Sequence, residues 1–165
     1  MVYIGIGSNL GNKIKNIEKA KHYLILNKIN IIKSSSYYES FSWPDIKKPK
    51  FLNIVLESDT KFSPKKLLYI FKSIEKKLGR KKRYKNAPRE CDIDIISYEN
   101  KISDGVISLP HQKMHKRNFV LIPLYELKKN WVHPKLKTCI KKLIFSLPIK
   151  DISSIKKFWF SVILK

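Results

Sequence analysis

Two aspartates separated by one residue, Asp92 and Asp94, are the side chains of this sequence whose type and spacing most directly suggest chemistry. In a strand, side chains two positions apart point to the same face and lie roughly 6.6 Å apart along the chain. Oxygen ligands with that spacing suit one or two Mg²⁺ ions shared with phosphate groups. The alternative is a pair of solvated surface carboxylates, and the short pattern alone fits both interpretations.

Arginine is scarce in this chain and is concentrated next to those aspartates. The 35 basic residues include four arginines, Arg80, Arg83, Arg89 and Arg117, and three of them lie in the stretch "GRKKRYKNAPRECDIDI". A guanidinium group is a planar, permanently charged fork that binds phosphate oxygens through two donors, whereas the lysine ammonium is a hydrated point charge. The distribution therefore suggests that these arginines bind phosphate, with chance clustering as the alternative.

Further candidate residues lie outside this segment. The stretch "PHQKMHKRNF" contains His111 and Arg117 close to an aromatic residue, Phe119. Asn53 can donate and accept hydrogen bonds, as recognition of a heterocycle edge requires, and Phe51 and Phe119 could stack on a flat ring. Each has a structural alternative: a surface histidine, an amide bonded to backbone, or a core aromatic ring. Together they predict transfer of a phosphate-containing group from a nucleotide, without a P-loop or protein-kinase motif.

The elements that would position these residues follow the order β-α-β-β-α-β. Apolar periodicity predicts strands at 2–7, 29–40, 51–58 and 91–97, with helices after Asn12 and after Ser63. Ser63 is an N-cap and Pro64 a first helical residue. This order predicts an α+β, ferredoxin-like fold with a mostly antiparallel sheet and two helices on one face. The predicted additions are a loop at 42–50, a strand at 101–109, a short helical or irregular apolar run at 118–127 and a last helix at 135–147.

The composition indicates one domain with high positive charge. The chain has 165 residues, 43% of them hydrophobic, so we expect a single domain over 1–165. Lysines scattered through every segment suggest that the net charge of +22 reflects compositional bias more than a polyanion-binding surface. Cys91 and Cys139 lack a paired metal spacing. We expect a cytoplasmic protein without a membrane span, because no leader pattern and no apolar stretch of about 20 residues is present.

Several segments of the chain resemble one known family. "YIGIGSNLGN", "SSSYYES", "FLN", "EKKLGR", "APRECDIDII" and "LPHQKMHKRNFVLIPL" follow the order and approximate spacing of the 6-hydroxymethyl-7,8-dihydropterin pyrophosphokinases of folate biosynthesis, over about residues 3–127. The resemblance implies a ferredoxin-like enzyme that transfers the terminal diphosphate of ATP to the hydroxymethyl oxygen of the reduced pterin and leaves AMP. It implies no nucleic-acid partner, and we expect a monomer.

The resemblance also implies a role for each matching residue. Asp92 and Asp94 would hold two Mg²⁺ ions that bridge the phosphates of ATP. The implied phosphate-binding and catalytic side chains, the first two on a loop that closes after ATP binds, are Arg80, Lys82, Arg89, His111 and Arg117. Glu75 falls at a position near the nucleoside. The implied pterin pocket consists of Ser40, Trp43, Phe51, Asn53 and Phe119.

The chain departs from the family pattern at a few positions. Lys82 stands where the family commonly has an arginine, the loop 41–47 lacks the usual glycine, and residues 150–165 have no match and form an uncertain extension. The alternative function is a basic ferredoxin-like RNA-binding module, which the charge and the element order also suit. That alternative predicts a "KGFGFVxF" type of strand, and the chain contains no such string.

Overall fold

The fold is a central sheet whose two middle strands, Val2–Ser8 and Phe51–Asp59, are buried along almost their whole length. The computed structural model describes residues 1–42, 45–81, 84 and 86–158. The strands are β1 (Val2–Ser8), β2 (Asn30–Ser34), β3 (Tyr37–Ser40), β4 (Phe51–Asp59), β5 (Asp92–Tyr98), β6 (Ser103–Asp104), β7 (Ser108–Leu109) and β8 (Lys156–Phe158). The helices are α1 (Lys13–Leu26), α2 (Pro64–Lys77), α3 (Asn118–Leu127), α4 (Ile140–Phe145) and α5 (Ile149–Ser154), with a 3₁₀ turn at Met114–Lys116.

The sheet has the strand order β5-β1-β4-β3-β8, and β2 also pairs with β4. All of these pairs are antiparallel. Strands β2 and β3 are the two halves of the predicted strand 29–40, interrupted at Ser35. The hydroxyl of Ser35 accepts a hydrogen bond from the backbone N–H of Val55 at 3.0 Å, so a side chain replaces a backbone partner in the ladder. With β2 and β3 counted as one interrupted strand, the predicted element order and the α+β class are confirmed.

Helices cover both faces of this sheet. On one face, α1 and α2 bury their apolar stripes against Ile4 and Ile93, with Phe71 of α2 fully buried. On the opposite face, α3 and α4 pack over Val55 and Ile96. The prediction of two helices on one face therefore describes only half of the packing, because the second apolar surface of the sheet is covered by elements from the C-terminal part of the chain.

Local capping sets where the first two helices begin. The Asn12 side chain accepts from the N–H of Lys15 at 3.0 Å, and the Ser63 hydroxyl accepts from the N–H of Lys66 at 3.3 Å. Pro64 opens α2, as predicted. These capping bonds are short-range, so the sequence pattern is sufficient to locate both helix starts.

The predictions for the C-terminal third need correction. The predicted strand 101–109 is a separate hairpin of two-residue strands, β6 and β7, and the predicted helix 135–147 is helical only over Ile140–Phe145. The ring of His133 accepts hydrogen bonds from the backbone N–H groups of Lys135 and Leu136, at 3.2 and 3.1 Å. This side chain closes a tight loop, so the helix starts later than its apolar pattern suggests.

The uncertain extension is attached to the sheet as far as residue 158. Strand β8 pairs with β3, and Asn118 at the start of α3 donates to the backbone oxygen of Asp151. None of the described helices is long and apolar enough to cross a membrane. The prediction of a single domain over 1–165 stays a prediction.

Glu126 connects the end of α3 to the edge of the sheet. Its carboxylate accepts hydrogen bonds from the N–H of Ser36 at 3.0 Å, the Ser36 hydroxyl at 2.7 Å and the Tyr38 hydroxyl at 2.9 Å. Burial disfavours the charged form, but these donors and Lys157 outweigh burial and lower the pKa of Glu126.

We expect Glu126→Gln to lower the free energy of unfolding by about 1–2 kcal/mol at pH 7, because bonds to a charged acceptor are lost. A depressed folded-state pKa means that this contribution is complete above the unfolded pKa of about 4.3 and disappears as pH falls through the folded value. In urea denaturation, the difference in the free energy of unfolding between wild type and Glu126→Gln should decrease from pH 7 to pH 3. The exposed Glu99→Gln should stay within about 0.5 kcal/mol of wild type. A gap for Glu126→Gln that is constant with pH would contradict the assignment.

Candidate active site

A cavity of about 310 Å³ lies on the face of the sheet opposite α1 and α2. Strands β1, β4 and β5 form its floor, and the start of α3 forms one wall. Eight predicted site residues line it: Ser40, Phe51, Asn53, Arg89, Asp92, Asp94, Arg117 and Phe119. The fold therefore brings together side chains from four separate segments of the sequence.

The absence of a side chain at Gly7 leaves space in the cavity for the side chains of Asn53 and Phe51. A Cβ atom on Gly7 would lie 3.0 Å from Oδ1 of Asn53 and 3.3 Å from Cδ1 of Phe51. Both of these side chains extend across β1 from the neighbouring strand, β4. Gly7 was not among the predicted site residues, because its importance depends on a cross-strand neighbour that sequence periodicity does not reveal.

Asn53 is held in a fixed orientation at one end of the cavity. Its Nδ2 donates to the backbone oxygen of Tyr38 at 3.3 Å and to the hydroxyl of Ser40 at 3.0 Å. The residue is only 5% exposed. The amide nitrogen thus has protein partners, while Oδ1 lies beside Gly7 on the cavity floor. Trp43, predicted for the same pocket, lies outside the described residues.

The two aspartates project from β5 toward the cavity. Asp92 and Asp94 line it, whereas Ile93 and Ile95 are buried in the core on the other face, as the alternation predicts. A bulge at Ile96 interrupts the pairing of β5 with β1, and the Ile96 carbonyl accepts from the N–H of His111 at 2.9 Å. The hydrogen bond at the bulge thus holds the loop that contains His111 next to Asp94.

Two arginines are paired with Asp92. Nη1 of Arg80 is 2.6 Å from Oδ1 and Nη2 of Arg89 is 2.6 Å from Oδ2. Burial opposes ionisation, but the charges of Arg89 and Arg80 outweigh it and hold the pKa of Asp92 below its ordinary value. The guanidinium carbon of Arg89 also lies 5.0 Å from the ring centre of Phe51. Arg89 therefore contacts both the carboxylate and the aromatic part of the cavity.

A reversal of the chain after α2 brings Arg80 to this position. Gly79 has a φ of +95°, which favours glycine, and it turns the backbone so that the N–H of Arg80 donates to the carbonyl of Glu75 at 3.0 Å. The carboxylate of Glu75 is 2.7 Å from Nη1 of Arg80 and accepts from the N–H of Ile93 at 2.8 Å. Glu75 is 2% exposed, and it lines neither this cavity nor the second cavity described below. Its position near a nucleoside stays a prediction.

Asp94 has the opposite electrostatic situation. Burial and the charge of Asp92 raise its pKa, and His111, Arg117 and Lys72 offset only part of that effect. Nε2 of His111 is 4.0 Å from Oδ2 of Asp94. Burial lowers the pKa of this histidine below its ordinary value, so the imidazole is neutral at pH 7. An ionised Asp94 is thus a carboxylate whose charge is poorly compensated.

A second cavity of about 330 Å³ adjoins the first. Asp94, Lys113 and Arg117 line both cavities, and His111 lines the second only. Arg117 also lies 5.5 Å from the ring centre of Phe119. Lys113 was missed in the sequence analysis, although it belongs to the quoted stretch "PHQKMHKRNF". The predicted site residues therefore lie around two adjoining cavities. The boundary that the cavities share has two cationic side chains, Lys113 and Arg117, and one acidic side chain, Asp94. Lys82 lies outside the described residues.

The family model described as 7,8-dihydro-6-hydroxymethylpterin-pyrophosphokinase (HPPK) matches residues 3–129. The chain belongs to this family. The predicted family is thus confirmed, and the match covers the segments that carry the arginines, the aspartates and the histidine loop of the two cavities.

Curated relatives agree with the family. The chain is 40% identical to the 2-amino-4-hydroxy-6-hydroxymethyldihydropteridine pyrophosphokinase of Aquifex aeolicus, over 91% of this chain and 88% of the relative. It is 37% identical to the enzyme of the same name from Methylorubrum extorquens, over 76% of this chain and 80% of the relative. The folic acid synthesis protein fol1 of Pneumocystis carinii is 37% identical over 95% of this chain, which spans only 21% of that longer protein.

Solved structures with a similar fold have been found. A structure of HPPK-DHPS in complex with substrates has a TM-score of 0.70 and 14% identity, covering 96% of this chain and 46% of the other. A Plasmodium falciparum HPPK-DHPS structure has a TM-score of 0.72 and 15% identity, with 96% and 46% coverage. At this low identity the likeness concerns the fold alone.

The two aspartates should affect stability in opposite directions. Asp92→Asn removes the negative charge that pairs with both Arg80 and Arg89, at a cost of about 1–3 kcal/mol, which corresponds to a melting temperature roughly 2–12 °C lower for a chain of this length. Asp94→Asn removes a carboxylate whose pKa is raised, so it should melt at the same or a higher temperature. Melting curves at pH 7, without metal or nucleotide, test both expectations.

The pH dependence gives an independent check. The contribution of Asp94 to wild-type stability decreases as pH rises from the unfolded pKa of about 3.9 through its raised folded pKa, because the folded state retains that proton longer. The advantage of Asp94→Asn should therefore develop over this window and be complete at pH 7. Melting shifts of the same sign for both variants at pH 7 would refute the electrostatic description.

Proposed function

We propose that this chain catalyses transfer of the terminal diphosphate of ATP to the hydroxymethyl oxygen of 6-hydroxymethyl-7,8-dihydropterin, with release of AMP, in folate biosynthesis. Family membership and the relatives named for this activity support the proposal. The observation that carries it is the pair of adjoining cavities that share Asp94, Lys113 and Arg117. A two-substrate transfer needs such neighbouring compartments, because the donor and acceptor groups must meet at one boundary.

The first cavity suits a flat, polar heterocycle. Phe51 and Phe119 supply aromatic surface, and the 310 Å³ volume is within the range of small-ligand sites. Both N–H groups of the Asn53 amide have protein partners, so this residue offers the pterin an acceptor, Oδ1. The proposed contact of Asn53 is therefore with ring N–H or amino groups of the pterin. Ser40 acts by holding the Asn53 nitrogen.

The carboxylate pair fits two Mg²⁺ ions brought by ATP. Mg²⁺ is commonly held by one or two carboxylates together with substrate phosphates and water, without a complete protein cage. In the part of the chain that the structure describes, no group of three or more His, Cys, Asp or Glu side chains could hold a metal. Asp92 and the poorly compensated Asp94 would be the protein ligands, and bound Mg²⁺ would neutralise charge on the phosphates.

The arginines exchange partners in the proposed reaction. Arg80 and Arg89 are paired with Asp92 in this structure. They would turn to the phosphate oxygens when ATP binds, which would leave the Asp92 carboxylate available to hold Mg²⁺. His111 and Arg117 bind the phosphates from the second cavity. Displacement at the β-phosphorus builds negative charge on oxygen, and cationic side chains bound to the phosphates lower that barrier. Glu75 supports this by anchoring Arg80.

An RNA-binding module has no support from these observations. Modules of that class use an open sheet face on which bases stack. Here α3 and α4 cover much of the corresponding face, and its remaining part is the floor of a cavity. The expected roles of Trp43 and Lys82, a monomeric state and a cytoplasmic location stay predictions.

The activity can be tested directly. Wild-type protein incubated with ATP, Mg²⁺ and 6-hydroxymethyl-7,8-dihydropterin should release one AMP for each pterin diphosphate formed. Asp94→Asn should lower the turnover rate by a factor on the order of 10²–10³ or more. Asp104→Asn, an exposed carboxylate on β6, is the control and should keep wild-type turnover. Near-normal turnover by folded Asp94→Asn would overturn the metal assignment, and absence of AMP from the wild type would overturn the function.

The cavity floor gives a second test. We expect Gly7→Ala to weaken binding of 6-hydroxymethylpterin by about 5- to 150-fold, because the new Cβ displaces Asn53 and Phe51. Gly5→Ala is the matched variant on the same strand and in the same cavity, since its Cβ would meet Cδ1 and Cγ1 of Ile96 and neither Asn53 nor Phe51. Calorimetry in the presence of an ATP analogue should show a smaller loss for Gly5→Ala. Equal losses would indicate a general effect of substitution in β1.

A further inference from the structure

Residues 149–158 lie outside the part of the chain that matches the family model, which ends at residue 129. They form helix α5 and strand β8, and we call them the α5–β8 segment. None of these residues, all of which the structure describes, lines either cavity. The segment nevertheless contacts two sides of the first cavity, and the proposed chemistry gives it no role.

The first contact lies at the start of α3, between two residues that line the cavity. Asn118 stands between Arg117 and Phe119. Its Nδ2 donates to the backbone oxygen of Asp151 at 2.5 Å and to the hydroxyl of Ser154 at 3.4 Å. The Ser154 hydroxyl donates in turn to the same Asp151 oxygen at 2.9 Å. Helix α5 therefore holds the backbone that carries Arg117 and Phe119.

The first turn of α3 is weakly held by the helix itself. Among the described residues, the side chain of Arg117 caps no N–H group at this helix start. Pro123 has no N–H, so it cannot donate to the carbonyl of Phe119, which is four residues earlier in the helix. The position of Phe119 therefore depends on contacts outside α3, and Asn118 supplies one of them.

The second contact lies at the outer edge of the sheet. Strand β8 pairs with β3 over Tyr37–Glu39, directly before Ser40, which lines the cavity. The carbonyl of Tyr38 and the hydroxyl of Ser40 are the acceptors for Nδ2 of Asn53. Strand β8 thus holds the strand that orients the Asn53 amide.

A third contact joins the first two. Nζ of Lys157 on β8 is 3.4 Å from Oε1 of Glu126 at the far end of α3, and the Tyr38 hydroxyl of β3 donates to the same carboxylate. This ion pair is partly exposed and is weak by itself. It completes a connection in which α3 is bound to α5 at its start and to β3 and β8 at its end. The separation between Phe119 and Asn53 is thereby constrained from outside the cavity.

We propose that the α5–β8 segment positions the two sides of the pterin cavity and that Asn118 is the positioning residue where it meets α3. The bonds from Asn118 to α5 hold Phe119 at the distance from Phe51 and Asn53 that a flat ring requires. The identity of that ring as a pterin rests on the proposed function. Asn118 lines neither cavity and acts through the backbone, with its Oδ1 accepting from the N–H of Phe119 at 2.7 Å.

Calorimetry well below the melting temperature measures the effect on binding. Asn118→Ala should raise the dissociation constant of 6-hydroxymethylpterin, with Mg²⁺ and an ATP analogue present, about 3- to 10-fold, as expected for one lost hydrogen bond. Ile17→Val is the control for stability, because it removes a methyl group from the core on the other face of the sheet. It should melt at a lower temperature and keep the wild-type dissociation constant.

A second pair of variants decides the question if Asn118→Ala does not fold. Ser154→Ala removes the hydroxyl that bonds to Asn118 and Asp151, and it should raise the dissociation constant about twofold or more. Ser153→Ala is the matched control on the same helix, because its hydroxyl is exposed and donates within α5, to the Lys150 carbonyl. It should keep the wild-type dissociation constant.

The binding data separate positioning from a purely structural role. Weaker pterin binding by Asn118→Ala and Ser154→Ala, with Ile17→Val and Ser153→Ala unchanged, supports the inference. A lower melting temperature with wild-type pterin affinity in folded Asn118→Ala or Ser154→Ala overturns it. An equal loss of affinity in a variant and its control overturns it as well.

Failure of the proposed function can be told apart from failure of this inference. If the variants weaken pterin binding but the wild type releases no AMP, the positioning role stands and the proposed reaction fails. If the wild type binds no pterin, amide hydrogen exchange without ligand decides. Ser154→Ala should then exchange faster than Ser153→Ala at residues 118–121 and 37–40, and equal exchange rates would overturn the inference.

Discussion

The structure of the site depends on one carboxylate held between two guanidinium groups. Arg80 arrives from the end of α2 and Arg89 from the segment before β5, and both meet at Asp92. Like charges from these two segments would otherwise repel, so the aspartate is what allows a dense cationic region to form in the absence of phosphate. The same grouping leaves Asp94 poorly compensated. Asp92 thus holds the two arginines together and, with burial, raises the pKa of Asp94.

Much of the fold could be predicted because its signals are local. The start of α2 at Ser63 and Pro64 and the shared face of Asp92 and Asp94 on β5 were predicted correctly, since caps and strand alternation act within a few residues. The break in the strand 29–40 was missed because its cause is a bond from Ser35 to Val55, twenty residues away. The late start of α4 was missed because a histidine side chain closes the preceding loop.

The residues of the site also fall into two groups, those that the sequence reveals and those that it does not. The aspartates, the arginines and the two phenylalanines could be recognised from residue type and from their motifs, and eight of the predicted residues line one cavity. Gly7 could not be recognised, because it matters through Asn53 and Phe51, which are far away in the sequence. Glu75 was recognised, but the structure places it behind Arg80. Residue type thus indicated the chemistry, whereas the residues that support it depend on contacts that only folding creates.

The short strand β8 has a consequence for pairing between molecules at the edge of the sheet. Without it, β3 would be the sheet's outer strand, and a bare row of peptide groups invites pairing between molecules. The covering strand has three residues, and two of them, Lys156 and Lys157, are lysines. A brief, charged outer strand is a poor template for association. Shortened versions made for crystallography should therefore keep the chain through residue 158.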